Sequence, residues 1–257
     1  MLSRRCYFWY NCSMNQLKYL TEFRSVLKNY RVSNQKEELF SGLDLVLLAG
    51  ASSSGRNTII RQLLKTEKYK FIVSDTTRTP RVNDGKPEQN GVEYWFRSET
   101  DMLKDLQAGE YLEAAIIHNQ QVSGISLREL EKSKKSGKVA ITDIEIVGVN
   151  SIMQAKPNTL AIFVVPPSFD EWYKRINARG QMDPTERKRR LQTSLNEFNS
   201  ALDQPYYVFV VNDKLSDTVA EIDKLAFGKE PDLAAQAKNR ELIKQICAET
   251  ANYLKTI

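Results

Sequence analysis

Histidine is almost missing from this chain: His118 stands alone among 257 residues. Imidazole triads and multi-histidine metal sites need that ring at several places or beside a nucleophile, so both classes drop out. His118 itself reads as a surface or packing residue. Cysteine is scarce as well. Cys6, Cys12 and Cys247 cannot all pair within one chain and none shows C-x-x-C spacing, which excludes a disulfide scaffold or zinc ribbon and fits a reducing, cytoplasmic setting. No apolar run reaches the ~18 residues of a membrane-spanning helix; the longest, around Leu43 to Ala51, ends in a Gly/Ser loop. The opening MLSRRCYFWYNCSM lacks the apolar region and small-residue cleavage site of a secretory leader. It reads as a disordered tail, and Met14 is an equally good start. Charge of one sign is not in excess either: 37 Lys+Arg against 32 Asp+Glu leave +5, enough to favour a small anion and too little to argue for nucleic acid.

What is present is ordinary globular material, with 41% hydrophobic and 27% charged residues. The length suits one large domain, or one domain with helical extensions, since domains commonly hold ~100–200 residues. Leu17, Leu20, Phe23, Leu27 and Tyr30 recur at helical spacing and predict an accessory helix. The run 43–49 predicts a buried strand, a helix follows through Ile59, Ile60, Leu63 and Leu64, and 71–73 a second strand. Further apolar strands are expected at 139–144, 160–165 and 207–211, each after a helical segment. Alternation of this kind predicts a parallel sheet with helices on both faces. Residues 79–91, with Pro80, Gly85, Pro87 and Gly91, predict an exposed loop. From Arg240, the positions Leu242, Ile246, Tyr253, Leu254 and Ile257 predict a last helix packed on the core beside the N-terminal one.

Two sites carry chemistry. Gly50-Ala51-Ser52-Ser53-Ser54-Gly55-Arg56-Asn57-Thr58 joins a strand to a helix with G-x-x-x-x-G spacing. Glycines there let backbone N–H groups converge on phosphate oxygens, and the helix N-terminus adds partial positive charge. A phosphate loop normally continues with Lys and Ser/Thr, where this chain has Arg56 and Asn57. Arg56 keeps the charge in a longer, planar form, and Asn57 offers an amide oxygen, a weaker Mg²⁺ ligand. The second site is Ser74-Asp75-Thr76-Thr77-Arg78-Thr79-Pro80-Arg81 followed by Asn90-Gly91-Val92-Glu93-Tyr94-Trp95-Phe96. Two arginines three apart, with a serine and a tyrosine, suit forked contacts to one phosphate dianion.

With S-x-T-T-R-x-P-R, the N-G-x-E-Y-x-F run, Glu113 in 109–113, Asp143-Ile144-Glu145 with Gly148, Pro166-Pro167-Ser168, Arg179-Gly180 and Val211-Asn212-Asp213, the chain resembles the guanylate kinase family over roughly residues 43–227. The resemblance implies an α/β, P-loop three-layer fold with a central parallel sheet, a small GMP-binding lobe and an arginine-bearing lid. Residues 1–42 then form a tail and accessory helix, and 228–257 a C-terminal accessory helix. It implies phosphoryl transfer from ATP, with Mg²⁺, to GMP. Ser74, Arg78, Arg81 and Tyr94 would hold the GMP phosphate, Glu88 would border that site, and Glu113, Asp143 and Ser126 would face the guanine. Gly50, Ser52, Ser53, Ser54, Gly55, Arg56, Asn57, Thr58 and Asn212 would hold ATP, Asn57 would touch Mg²⁺, and Arg56, Arg179 and Arg190 would carry the catalytic charge, chosen over Arg175 and the run 187–189.

The chain departs from the family pattern at Arg56 and Asn57, and at Ser123 and Ile125, which stand where the family has a tyrosine and a base-contacting hydroxyl. An insertion falls between Arg81 and Tyr94. These departures leave open a weak or inactive relative that binds a nucleotide or a partner protein, and a kinase whose acceptor is a phosphorylated sugar. The expected partners are small nucleotides, without nucleic acid or membrane, and the terminal helices leave room for a protein partner or a second copy.

Overall fold

The computed structural model describes residues 16–83, 85–117, 119–178 and 183–257. In chain order the first elements are α1 (Leu20–Leu27), α2 (Asn34–Glu37), β1 (Leu45–Ala49), α3 (Arg56–Leu64), β2 (Tyr69–Phe71), β3 (Asp75–Thr76), β4 (Val82–Asn83), β5 (Lys86–Pro87) and β6 (Trp95–Phe96). There follow α4 (Glu99–Gln107), β7 (Tyr111–Ile117), β8 (Gln121–Ser126), α5 (Leu127–Ser136), β9 (Val139–Asp143) and α6 (Ile146–Ala155). The chain closes with β10 (Leu160–Val165), α7 (Phe169–Asn177), α8 (Pro184–Leu202), β11 (Tyr207–Val211), α9 (Leu215–Ala226) and α10 (Leu233–Leu254).

Five strands form a parallel sheet in the order β11-β10-β1-β9-β2. Every residue of β1 is buried because both faces of the sheet are covered. Side chains alternate between the faces: Leu45, Leu47 and Ala49 enter one core cluster and Val46 and Leu48 the other. Leu47 and Leu48 are each completely buried, worth about 1.5–3 kcal/mol apiece. Helices α3 and α9 cover one face, and α6, α7, α8 and α10 the other. The predicted strands at 160–165 and 207–211 match in full; β1 and β2 each begin two residues later or earlier than predicted, which is the usual uncertainty of strand ends.

A second sheet, β6-β3-β8-β7, forms the small lobe. The stretch read as an open loop contains a hairpin, in which Val82 pairs with Pro87 and Asn83 with Lys86. Both are two-residue strands, too short for any periodicity. The terminal helices do not lie together as expected. Phe23 of α1 is buried with Met102, Leu106 and Tyr111 in the small lobe, whereas Ile243, Ile246 and Cys247 of α10 join the large core under α7 and α8. Ile257, predicted on the packing face, lies past the end of α10 and is exposed. Among the described residues, no helix is long and apolar enough to cross a membrane.

Candidate active site

The Gly50–Gly55 loop leaves the C-terminal end of β1 and ends at the first turn of α3. Gly50 passes so near β10 that a Cβ would come within 2.7 Å of the Val164 carbonyl, and Gly55, at φ +102, lies against the Asn212 amide with no room for a side chain. Ser53 adopts φ +67, a left-handed conformation that costs a non-glycine residue free energy and that clusters in ligand-binding loops. The hydroxyls of Ser53 and Ser54 are buried and have no protein partner. Orphaned donors beside a helix N-terminus whose first turn has no acid fit phosphate oxygens.

The loop is braced from outside. Trp172 Nε1 donates to the Ser52 carbonyl at 2.8 Å and Asn212 Nδ2 to the Ser54 carbonyl at 2.7 Å, while Thr218 donates to Asn212 Oδ1 at 3.3 Å. Asn212 thus holds the loop in shape. A hollow of about 300 Å³ opens beside it, lined by Ser53, Gly55, Thr58, Arg175, Asn212, Asp213 and Leu215. Arg175 is anchored there by Glu171 at 3.0 Å and the Asn212 carbonyl at 3.0 Å, so the arginine set aside on sequence grounds is the one beside the loop. Arg56 turns the other way: its Nη1 donates to the Ile144 carbonyl at 3.3 Å and its side chain lines the neighbouring cleft. Asn57 and Thr58 are exposed.

That cleft, about 490 Å³, is lined by Ser74, Arg78, Arg81, Tyr94, Glu113 and Asp143 of the predicted acceptor set, together with Arg56. Strand β3 makes the assembly. It pairs with β6 on one side and β8 on the other, setting Ser74 and Arg78 beside Tyr94. Between them Asp75, wholly buried, accepts from Tyr111 Oη at 2.7 Å, Arg128 at 2.8 Å and Arg97 at 3.0 Å, tying β3 to β7, α5 and the residue after β6. Arg78 lies 4.6 Å over the Tyr94 ring and makes a forked pair with Glu88 at 2.5 and 2.9 Å; the same carboxylate accepts from the Arg81 N–H at 2.8 Å. The Arg78 guanidinium holds the Glu88 carboxyl below its usual range. Glu88 therefore aims the Arg78 guanidinium and fixes the backbone at Arg81, and it does not itself line the cleft.

Glu113 sits where the register of β7 on β8 slips between Tyr111 and Glu113. Its side chain is buried. Burial pushes its pKa up to about 8, with the Glu145 charge adding and the Ile125 N–H opposing. Ser126 is placed elsewhere: it stands at the residue before α5 without a capping hydrogen bond, its hydroxyl is buried without a partner, and it does not line the cleft. Ile125 is fully buried in the large core. Ser123, the substituted tyrosine position, does line the cleft and donates to Thr76 Oγ1 at 2.9 Å.

On the lid side, α8 starts with Asp183 accepting from the Glu186 N–H at 3.0 Å and Pro184 in the first turn, a sequence-readable helix start. Glu186 holds Arg190 at 2.7 Å and Arg189 at 2.7 Å; the two guanidiniums, Arg190 first, keep its carboxyl below the usual range. Arg189 reaches the cleft, and Arg190 does not. Arg179 lies outside the described residues, as does His118. Sequence reasoning also passed over Gln120, Gln121, Glu145 and Gly148, all lining the cleft. It missed Glu197 too, which burial raises to about 7 against the pull of Arg56. Glu145 and Gly148 were visible in the Asp-Ile-Glu run, whereas nothing local marks Glu197.

A family model described as guanylate kinase matches residues 43–227. The chain is 35% identical over 205 residues to a guanylate kinase of Trichormus variabilis, covering 79% of this chain and 98% of that protein. A guanylate kinase of Corynebacterium diphtheriae is 32% identical over 187 residues, covering 72% and 95%. The crystal structure of guanylate kinase from Anaplasma phagocytophilum shares the fold, with a TM-score of 0.55 at 24% identity over 75% of this chain and 88% of that one. With the loop, the forked arginine and the buried carboxylate in place, the match over most of the chain places it: the protein belongs to the guanylate kinase family.

Proposed function

We propose that the protein transfers the terminal phosphoryl group of ATP to GMP, giving GDP and ADP. One observation carries the reading: a phosphate cradle of Ser74, Arg78, Arg81 and Tyr94 and a buried carboxylate, Glu113, line the same cleft. The first suits a monophosphate, and the second suits the paired N1–H and amino donors of guanine, which adenine lacks.

In the transfer, an oxygen of the GMP phosphate forms a bond to the γ-phosphorus while the bond from that phosphorus to the β–γ bridging oxygen breaks, and ADP leaves with the electron pair. Such a reaction depends on alignment and charge neutralisation. Ser74, Arg78, Arg81 and Tyr94 align the acceptor, with Glu88 fixing Arg78. Backbone N–H groups of the 50–55 loop, the hydroxyls of Ser53 and Ser54 and the start of α3 receive the donor phosphates. Arg56 stands between the two sites and would meet the group in transit, joined by Arg189 and by the lid arginines Arg179 and Arg190. Mg²⁺, when bound with ATP, would neutralise charge on the donor phosphates, and Asn57, exposed at the start of α3, would offer it an amide oxygen. A cytoplasmic location and small-nucleotide partners belong to the same reading.

The turn of Arg56 away from the donor loop favours one competing reading, a relative that binds GMP without transfer. The test is GDP formation from GMP, ATP and Mg²⁺, run beside IMP, AMP and phosphorylated sugars with a parallel GMP-binding titration. GMP should be turned over on the order of 100-fold more efficiently than AMP. GMP binding without GDP formation, or equal use of a phosphorylated sugar, would overturn the proposal.

A further inference from the structure

Glu113 is the carboxylate that the proposed reading sets against guanine, and it is buried on the edge strand of the small sheet. Behind it, a second cavity of about 240 Å³ is lined by Glu113 itself with Leu112, Tyr30, Ser151 and Gln154. Glu113 thus borders both spaces, and on its third side Gly148 lets its Oε2 come so near that an added Cβ would stand at 3.2 Å from it. Strand β7 is also the edge of the small sheet, and its register slips at this point. An edge strand with outward backbone groups and a bulge has little to fix its course.

Tyr30 supplies what the sheet lacks. Its hydroxyl donates to the Tyr111 carbonyl at 2.8 Å and accepts from the Tyr111 N–H at 3.0 Å, so one phenol closes both exposed backbone groups two residues before Glu113. Burial pushes the Tyr30 hydroxyl up to about 12, with the Tyr111 backbone opposing, so it keeps the proton it donates. The segment carrying it is pinned on either side. Phe23 of α1 is fully buried against Met102, Leu106 and Tyr111, and Lys36 Nζ reaches the Ala108 carbonyl at 2.8 Å and Glu110 at 2.5 Å. All of this lies in residues before 43, outside the span that the family model matches.

We infer that Tyr30 is a positioning residue for guanine binding: the N-terminal segment clamps the β7 bulge and thereby sets the Glu113 carboxylate against the acceptor base. This inference rests on the proposed GMP site. It gives the accessory segment a part in the selectivity of the enzyme beyond covering apolar surface.

The experiment compares the full chain with Tyr30→Phe, which keeps the ring and removes both hydrogen bonds, with Glu113→Gln, and with the double variant. Tyr69→Phe is the control, since it removes a buried tyrosine hydrogen bond, to Asp223 at 2.9 Å, in a different part of the core. KM for GMP, kcat, the GMP-to-IMP preference and GMP affinity by calorimetry are read for each. Tyr30→Phe should raise KM and Kd for GMP about five- to tenfold with kcat within about twofold, as expected for one or two net hydrogen bonds, and should lower the preference for GMP over IMP. In the Glu113→Gln background the same change should add almost nothing, because the effect runs through that carboxylate. Tyr69→Phe should lower Tm by a similar amount and leave KM alone. The inference is overturned if Tyr30→Phe shifts GMP affinity no more than the control, or shifts it equally with and without Glu113. A wild-type chain that binds GMP without turning it over still decides the matter by Kd, and one that neither binds nor phosphorylates GMP removes the parent reading and this inference with it.

Discussion

The acceptor cleft and the donor loop are built to different standards of completeness. In the cleft proposed for the acceptor, Arg78 has partners that aim it: Glu88 forks onto it, Tyr94 lies under the same guanidinium, and Asp75 binds the strands together with three hydrogen bonds. The donor loop has its backbone in order, braced by Trp172 and Asn212, but its one cation has left it for the cleft. A backbone cradle needs only glycines and a helix start, and these survive. A side chain such as Arg56 is long enough to follow the stronger pull, here the Ile144 carbonyl and the acidic surroundings of Glu197 and Glu145. With arginine at position 56, the charge of the loop stands at the boundary between the halves.

The largest effect is expected from breaking the better-built half. Arg78→Ala should lower kcat/KM for GMP on the order of a thousandfold, since a charge-assisted fork to a dianion is lost. It should lower Tm as well, by leaving Glu88 without its cation. Arg78→Lys should recover the Tm more than the activity, because an ammonium cannot fork.

Glu113→Gln should cost about 10- to 100-fold in preference for GMP over AMP. It also carries a pH signature. With a pKa raised to about 8, the free carboxyl is mostly neutral near pH 7, whereas guanine needs the carboxylate. KM for GMP should therefore fall as pH rises from about 6 to 8 and level off above. Stability runs the other way. A folded pKa of about 8 against an unfolded 4.5 gives stability that is fully present below 4.5 and lost as pH climbs through about 8. Glu113→Gln should flatten that decline, measurable as Tm against pH.

In the donor half, Asn212→Ala should raise KM for ATP about fivefold with little change for GMP, since it frees the Ser54 carbonyl and nothing in the cleft. Asn57→Ser should have the smallest effect, lowering the Mg²⁺ concentration needed for half-maximal rate by about two- to threefold. An equal rise in KM for both substrates with Asn212→Ala would contradict the separation of the halves.

Much of this was legible because strand and loop chemistry is local. The apolar runs at 160–165 and 207–211, the G-x-x-x-x-G turn and the Ser-Arg-Arg part of the cradle at 74–81 are each written in one short stretch. What escaped depends on distant partners. The fork of Glu88 onto Arg78 and the place of Ser126 ahead of α5 are set by partners that no local pattern names, and α1 and α10 share an amphipathic pattern that does not say which cluster covers each. Tyr30 was read only as a face of a helix, and it lies beyond the end of α1 at Leu27. The strands β3 to β6 hold two residues each, too few for any period to show.

The most direct test of the contrast between the halves is steady-state kinetics of Arg56→Ala with both substrates varied. The side chain lines the acceptor cleft, so KM for GMP should rise several-fold and kcat should fall about 10- to 100-fold, with KM for ATP changed by less than about twofold. A rise confined to KM for ATP would return Arg56 to the donor loop and contradict the account.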